Sequence, residues 1–187
     1  IHWGQRFISQ DWDTFYTEAV ETFPLNVPEP HGNSVQMNMF MDAEHAGDRL
    51  TCRSQSGILI FLNRAPIVWY SKRQNTVESS TFGSEFIAMK IGIELVKAMR
   101  FKLRMMGISI VGPANVFCDN EAVVRNSTEP ESTLGKKHIS ICYHVVREAI
   151  AAEIAQVCKE DGETNLADVL TKCVPGPRLR SLCGRFM

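Results

Sequence analysis

A chain of 187 residues is long enough for one sizeable hydrophobic core with appendages. Hydrophobic residues at 44% and charged residues at 22% match an ordinary globular domain and exclude a disordered or fibrous chain. With 20 Lys and Arg against 21 Asp and Glu the net charge is -1, which excludes a histone-like chain, a basic arm or an acidic tail and confines any pull on nucleic acid to local patches.

Residues 1–34 read as a linker that packs partly on the domain C-terminal to it. Trp3, Phe7, Trp12, Phe15 and Tyr16 supply aromatic anchors, and Pro24, Pro28, Pro30 and Gly32 break any regular element. From Val35 the pattern changes: Val35, Met37, Met39 and Met41 alternate with Gln36, Asn38, Phe40 and Asp42, the period of a strand. Residues 56–62 (SGILIFL) form a second strand and 65–70 (APIVWY) a third, joined by a turn at Asn63-Arg64 so short that the pair must be an antiparallel hairpin. Pro66 stands near the start of its strand, where a missing N–H is tolerated, and Trp69 and Tyr70 are expected in the core. Residues 79–106 are helical, with one apolar stripe through Phe86, Met89, Ile93 and Val96 and a neighbouring one through Ile87, Ile91 and Leu95, an arc wide enough to press on a sheet. Ser79, Ser80 and Thr81 are candidate N-caps and Gly107 the stop.

A short buried strand comes next at 115–118 (NVFC), then a helix capped by Asp119-Asn120 and running to Val124. Residues 139–152 form the next helix, with Ile139, Tyr143, Val146 and Ile150 on one face. Residues 153–158 read as a fifth strand, 160–165 as a polar turn and 166–171 as a last short helix. Pro175, Gly176 and Pro177 are expected to end the regular structure, leaving 176–187 as a basic tail with Arg178, Arg180 and Arg185. An antiparallel hairpin beside strands reached through helices implies an α/β fold: a mixed sheet with helices on both faces.

The cysteines at 52, 118, 142, 158, 173 and 183 form no CxxC and no zinc-like Cys/His cluster, the usage of reduced thiols in a reducing compartment. No apolar run approaches the roughly 20 residues that cross a bilayer. The opening at Ile1 has no signal-peptide pattern and suggests a piece of a longer polypeptide.

Four acids occupy unusual places. Asp42 follows the run Met39-Phe40-Met41, Glu85 sits in the first turns of the long helix beside its apolar face, Asp119 follows NVFC, and Asp168 lies among Leu166, Ala167, Val169 and Leu170. Any one of them alone is best read as serving a helix dipole or solvating a turn. As a set they are harder to dismiss. A carboxylate beside an apolar strand end needs a cation, and Lys172 is the one basic residue near Asp168 in sequence. Converging carboxylates raise one another's pKa or recruit a divalent ion. An all-oxygen site suits Mg2+ or Mn2+, and two such ions about 3.5–4 Å apart activate a water and stabilise the leaving oxygen of a phosphodiester.

The segments FMDAEHAGD (40–48), RSQSGILIFLNRAPIVWYSKRQNTV (53–77), SSTFGSEFIA (79–88), VFCDNEAVV (116–124) and NLADVLTK (165–172) resemble, in order and spacing, the ribonuclease H domain of copia-type (LTR) retrotransposon polyproteins, which lies C-terminal to the reverse transcriptase. The resemblance covers about 35–175. It implies a ribonuclease H-like fold, a mixed five-stranded sheet flanked by helices, with 1–34 as the connection from the reverse transcriptase region and 176–187 as a tail. It further implies a metal-dependent endonuclease that hydrolyses the RNA strand of RNA–DNA hybrids during reverse transcription. By the resemblance Asp42, Glu85, Asp119 and Asp168 are the catalytic and metal-binding carboxylates for two Mg2+ ions, with Mn2+ able to substitute. The implied partners are the hybrid and the reverse transcriptase domain of the same polyprotein, with no membrane, in a cytoplasmic retrotransposon particle or in the nucleus.

Glu44 stands where the family often has Asp, Phe82-Gly83-Ser84 replaces TEA before Glu85, and Leu166 replaces the Pro of NPAD, but no acid is lost. These departures motivate the alternative, a catalytically decayed remnant that retains the fold and nucleic-acid binding. Another nuclease of the same fold, such as an integrase or junction resolvase, ranks lower, because GSEF and LADVLTK argue against it. His138 and His144 resemble positions in the copia-type pattern. A histidine near the last acid can aid product release, but capping a helix and contacting nucleic acid is the preferred reading for both. His45 is a weaker candidate for shaping the metal site. Lys72-Arg73, Arg100-Lys102-Arg104 and Lys136-Lys137 are candidate phosphate contacts. Ser71, Asn75, Ser84 and Asn120 are candidates for a 2′-hydroxyl or phosphate.

Overall fold

The computed structural model describes residues 20–186 apart from 25, 133, 135 and 136, so the aromatic anchors from Trp3 to Tyr16 and Lys136 lie outside the described residues. Alternation organises β2 (Met37–Glu44). Met37, Met39 and Met41 are fully buried on one face, and Asn38, Phe40 and Asp42 take the other. β3 (Gln55–Leu62) pairs antiparallel with β2, setting Gly57 opposite Asp42, and antiparallel with β4 (Ala65–Arg73). The run SGILIFL lacks alternation because both faces of β3 are covered: Ile58 and Ile60 are buried on one side, Leu59 and Phe61 on the other. β6 (Ala114–Cys118) joins β2 in parallel and β7 (Ala155–Lys159) joins β6 in parallel, so the order is β4-β3-β2-β6-β7. The sheet is mixed and five-stranded, as expected.

Helix α1 (Thr81–Met105) lies on the methionine face and buries Phe86, Met89, Ile93 and Val96. Gly92 lets it come close, because a Cβ there would sit 2.6 Å from Met39 Sδ. Ser80 caps the helix, its side chain accepting from Gly83 N, and Gly107, at a φ of 72°, follows its end. Helix α2 (Glu121–Thr128) adds Val123 and α3 (Ser140–Ala151) adds Tyr143 and Val146 to the same core. On the opposite face Leu59 and Phe61 pack with Leu166 of a 3-10 turn (Leu166–Leu170) and Leu182 of α4 (Gly176–Cys183), while Phe40 stacks on Phe117 at 4.7 Å.

The structure corrects several expectations. The chain does not stop being regular at Pro175. Gly176 and Pro177 open α4, whose first turn needs no N–H from proline, and Leu182 anchors it in the second core. Residues 31–34, which fall in the expected linker, join Val35 in β1 (His31–Val35), which pairs in parallel with β5 (Ile108–Ile110) as a separate two-stranded sheet. Three residues show no period, which hides β5. Trp69 is 71% exposed on the edge strand rather than in the core. Arg100 is buried: its Nε and Nη2 fork onto Glu21 at 2.6 and 2.7 Å, and its Nη1 donates to the Gly112 carbonyl at 2.8 Å. Arg104 adds a 3.1 Å contact to the same carboxylate and lies over the Phe23 ring. These two cations therefore dock the segment around Glu21 on α1 and do not line a groove for phosphate.

Candidate metal and active site

Parallel pairing of β2 and β6 puts Asp42 and Asp119, the residue after β6, on the same face at the same end of the sheet. Asp168 arrives on the 3-10 turn, which Asn165 pins in place. The Asn165 side chain donates to the Met41 carbonyl (3.0 Å) and accepts from Ala167 N (3.1 Å). The turn can sit this close to β3 only because position 57 is glycine: a Cβ there would lie 2.9 Å from the Ala167 carbonyl and 2.6 Å from Thr171 Cγ2. One carboxylate oxygen from each of Asp42, Asp119 and Asp168 lies within 4.8 Å of the other two. Glu85 reaches in from the helical face, where it, Cys118 and Asp119 form a second group within 4.8 Å. Asn120 caps α2 and also donates to Glu85 Oε1 at 3.3 Å. All four acids singled out in the sequence thus meet in two overlapping clusters that share Asp119.

Asp42, Glu85 and Asp168 are almost wholly buried. Burial is the largest influence on Asp42 and raises its pKa. A hydrogen bond from Thr171 Oγ1 and the charge of Lys172 work against that rise, while the charges of Asp168 and Asp119 add to it. Burial, then the Asp119 charge, pushes Glu85 up to about 7 against the hydrogen bonds from Asn120 and Cys118. Burial and then the Glu85 charge lift the Cys118 thiol well above its ordinary range, so its Sγ stays protonated and donates to Glu85 Oε2 at 3.6 Å. Two cations balance the acids. Lys172 Nζ is 3.0 Å from Asp168 Oδ1 and 3.5 Å from Asp42 Oδ2, and Arg178 of α4 donates to Asp168 Oδ2 at 2.6 Å and to the Gly162 carbonyl. Burial opposes the Lys172 charge most strongly, but Asp42 and Asp168 together outweigh it and raise its pKa. With Cys118 held as a thiol, the donors are carboxylate oxygens, the set that suits a hard divalent cation.

Beside the acids a cleft of about 550 Å³ is lined by Glu44, Asp48, Arg53, Arg73, Thr171 and Lys172, among others. Arg73 pairs with Asp48 on its rim, and Lys72 is exposed nearby. Lys137 is exposed, and His138 Nε2 lies 3.0 Å from Glu78 Oε2. His144 is half-buried edge-on to Tyr143, its pKa lowered by burial and then by Arg147. Neither acidic cluster includes a histidine among the described residues. His45 Nδ1 is buried and has no hydrogen-bond partner among the described residues. Ser84 is fully buried and its hydroxyl donates to the Thr81 carbonyl at 2.8 Å, away from solvent, and Ser71 donates to the Leu170 carbonyl at 2.6 Å. The sequence alone did not reveal Thr171, Asn165 and Arg178 as supports of the acids. Thr171 and Asn165 lie three residues either side of Asp168, a local signal, but Arg178 lies beyond Pro-Gly-Pro and carries none.

No protein-family profile matches the chain. Over 141 residues it is 29% identical to the retrovirus-related Pol polyprotein from transposon RE1 of Arabidopsis thaliana. Over 145 residues it is 33% identical to the retrovirus-related Pol polyprotein from transposon TNT 1-94 of Nicotiana tabacum. The matches cover 75% and 77% of this chain but 10% and 11% of those polyproteins, so the chain spans about a tenth of the length of the curated relatives it matches. In three dimensions it is similar to LC11-RNase H1, solved in complex with RNA/DNA hybrid, with a TM-score of 0.57 and 14% identity, covering 73% of this chain and 94% of that one. At that identity the likeness is one of fold.

Proposed function

This chain is related to a segment of the retrovirus-related Pol polyproteins of plant transposons and has a ribonuclease H-like fold, and from that premise we propose that it is a metal-dependent endoribonuclease that cuts the RNA strand of RNA–DNA hybrids. Its setting is reverse transcription of a copia-type element, with the reverse transcriptase of the same polyprotein as partner. The observation that carries the reading is the convergence of Asp42, Asp119 and Asp168, with Glu85 joined to them through Asp119. The hybrid in the complex of LC11-RNase H1 supports the substrate class. Retention of all four acids, each held by neighbouring side chains or in a shared cluster, counts against a decayed remnant.

Asp42, Glu85, Asp119 and Asp168 are the residues that would hold two Mg2+ ions, with Mn2+ as a substitute. When bound, such ions activate a water and stabilise the departing 3′ oxygen, leaving 5′-phosphate and 3′-hydroxyl ends. The protein's part is to aim the acids before substrate arrives. Thr171 orients Asp42, Arg178 fixes Asp168, and Asn120 holds Glu85 against Cys118. The purified protein with Mg2+ is expected to cut a labelled RNA–DNA hybrid, and Asp119→Asn to abolish cleavage. Wild type that cuts nothing in either Mg2+ or Mn2+ sinks the proposal.

A further inference from the structure

The carboxylate cluster carries a cation of its own, with a way out. Lys172 stands four residues after Asp168, and its ammonium lies between Asp168 Oδ1, at 3.0 Å, and Asp42 Oδ2, at 3.5 Å. The two carboxylate side chains are 2% and 3% exposed, whereas that of Lys172 is 41% exposed. Lys172 also lines the neighbouring cleft, and its ammonium reaches in among the acids. Among the described residues no donor other than this ammonium meets Asp168 Oδ1. Arg178 is bound differently: its guanidinium holds Asp168 Oδ2 and the Gly162 carbonyl together.

Resting on the metal site proposed above, we propose that Lys172 is an exchangeable internal counterion. It bridges Asp42 and Asp168 in the metal-free protein and withdraws into the cleft when a divalent cation takes the same oxygens. Three acids with oxygens within 4.8 Å of one another repel strongly where water is scarce, so the metal-free fold needs a positive charge among them. A divalent cation on the same oxygens repels the ammonium. A flexible lysine stem can follow that repulsion toward solvent, whereas the guanidinium fork of Arg178, committed to a backbone carbonyl, stays. The four acids thus remain assembled in both states, and metal affinity is set partly by the lysine that must leave.

Calorimetric titration of Mg2+ into wild type and Lys172→Met tests this, with melting in EDTA alongside. Lys172→Met is expected to bind Mg2+ more tightly by about fivefold or more, and to melt lower than wild type in EDTA. Lys172→Arg, which keeps the charge, is expected to return melting in EDTA to the wild-type value. On wild type alone, the ion-paired ammonium signal of Lys172 should be visible by nitrogen-detected NMR in EDTA and disappear on adding Mg2+. A folded Lys172→Met with unchanged or weaker Mg2+ binding overturns the counterion and leaves the metal site standing. An ammonium signal that persists in saturating Mg2+ does the same. Wild type and variant that both take no Mg2+ overturn the metal site and the counterion together.

Discussion

Glu85 is held against its own charge, and relieving it should stabilise the metal-free protein. Its carboxyl moves from an ordinary 4.5 to about 7, chiefly through burial and then through the charge of Asp119. The native state therefore keeps a proton that the unfolded chain has lost, and stability falls as pH rises from 4.5 toward 7, with the full cost present above that window. A tenfold change in proton affinity is worth about 1.4 kcal/mol, so the rise of the Glu85 carboxyl corresponds to about 3 kcal/mol. Glu85→Gln removes the charge while its amide oxygen can still accept from Asn120. Imperfect packing beside Cys118 and relaxation of the neighbouring acids take away about 1 kcal/mol at either pH, so the expected gain is about 2 kcal/mol near pH 8.5 and falls to a few tenths near pH 5.5, where the charge costs only about 1.4 kcal/mol. Urea unfolding in EDTA at the two pH values measures it, and melting should rise by about 4–8 °C at the higher pH. A gain that does not change with pH, or a variant less stable than wild type at the higher pH, refutes the reasoning. The same substitution should abolish hybrid cleavage, so stability and activity would move in opposite directions.

The packing around Asp168 sets two further outcomes. Gly57→Ala drives a methyl into the Ala167 carbonyl and Thr171, so chemical denaturation should report a loss of about 1–3 kcal/mol and hybrid cleavage should drop with it, whereas full activity with unchanged melting would show that the turn does not need to sit so close. Arg178→Met leaves Asp168 Oδ2 without its charged donor and should cost about 1–3 kcal/mol in urea unfolding, with Arg178→Lys recovering only part, because an ammonium cannot span both the carboxylate and the Gly162 carbonyl.

Asp42 and Asp119 are readable in the sequence because strand periodicity is short-range. Once Met37, Met39 and Met41 face α1, Asp42 must face the other way, and the parity of β6 does the same for Asp119. Glu85 is readable from its place beside the apolar stripe of α1. Arg178 is not, since a basic residue after Pro-Gly-Pro looks like a solvated tail until Leu182 is seen to anchor α4. Arg100 fails in the opposite direction. A run of cations on a helix reads as exposed, and nothing local announces that Glu21 lies 79 positions away as its partner. Trp69 is misplaced because hydrophobicity says nothing about which strand ends up on the edge of a sheet.

The hydrogen bond between Asp42 and Thr171 spans 129 positions, and the support for Asp168 comes later still, from α4. Contacts of such long range are among the slowest to form. The strands bearing Asp42 and Asp119 can pair, and α1 can deliver Glu85, before residues 165–183 dock. A chain whose sheet has closed but whose last turn and helix have not is thus a folded scaffold without Asp168, Thr171, Lys172 or Arg178 in place. Competence to cut would then lag behind compactness, and a probe of burial and a probe of cleavage should report different half-times during refolding.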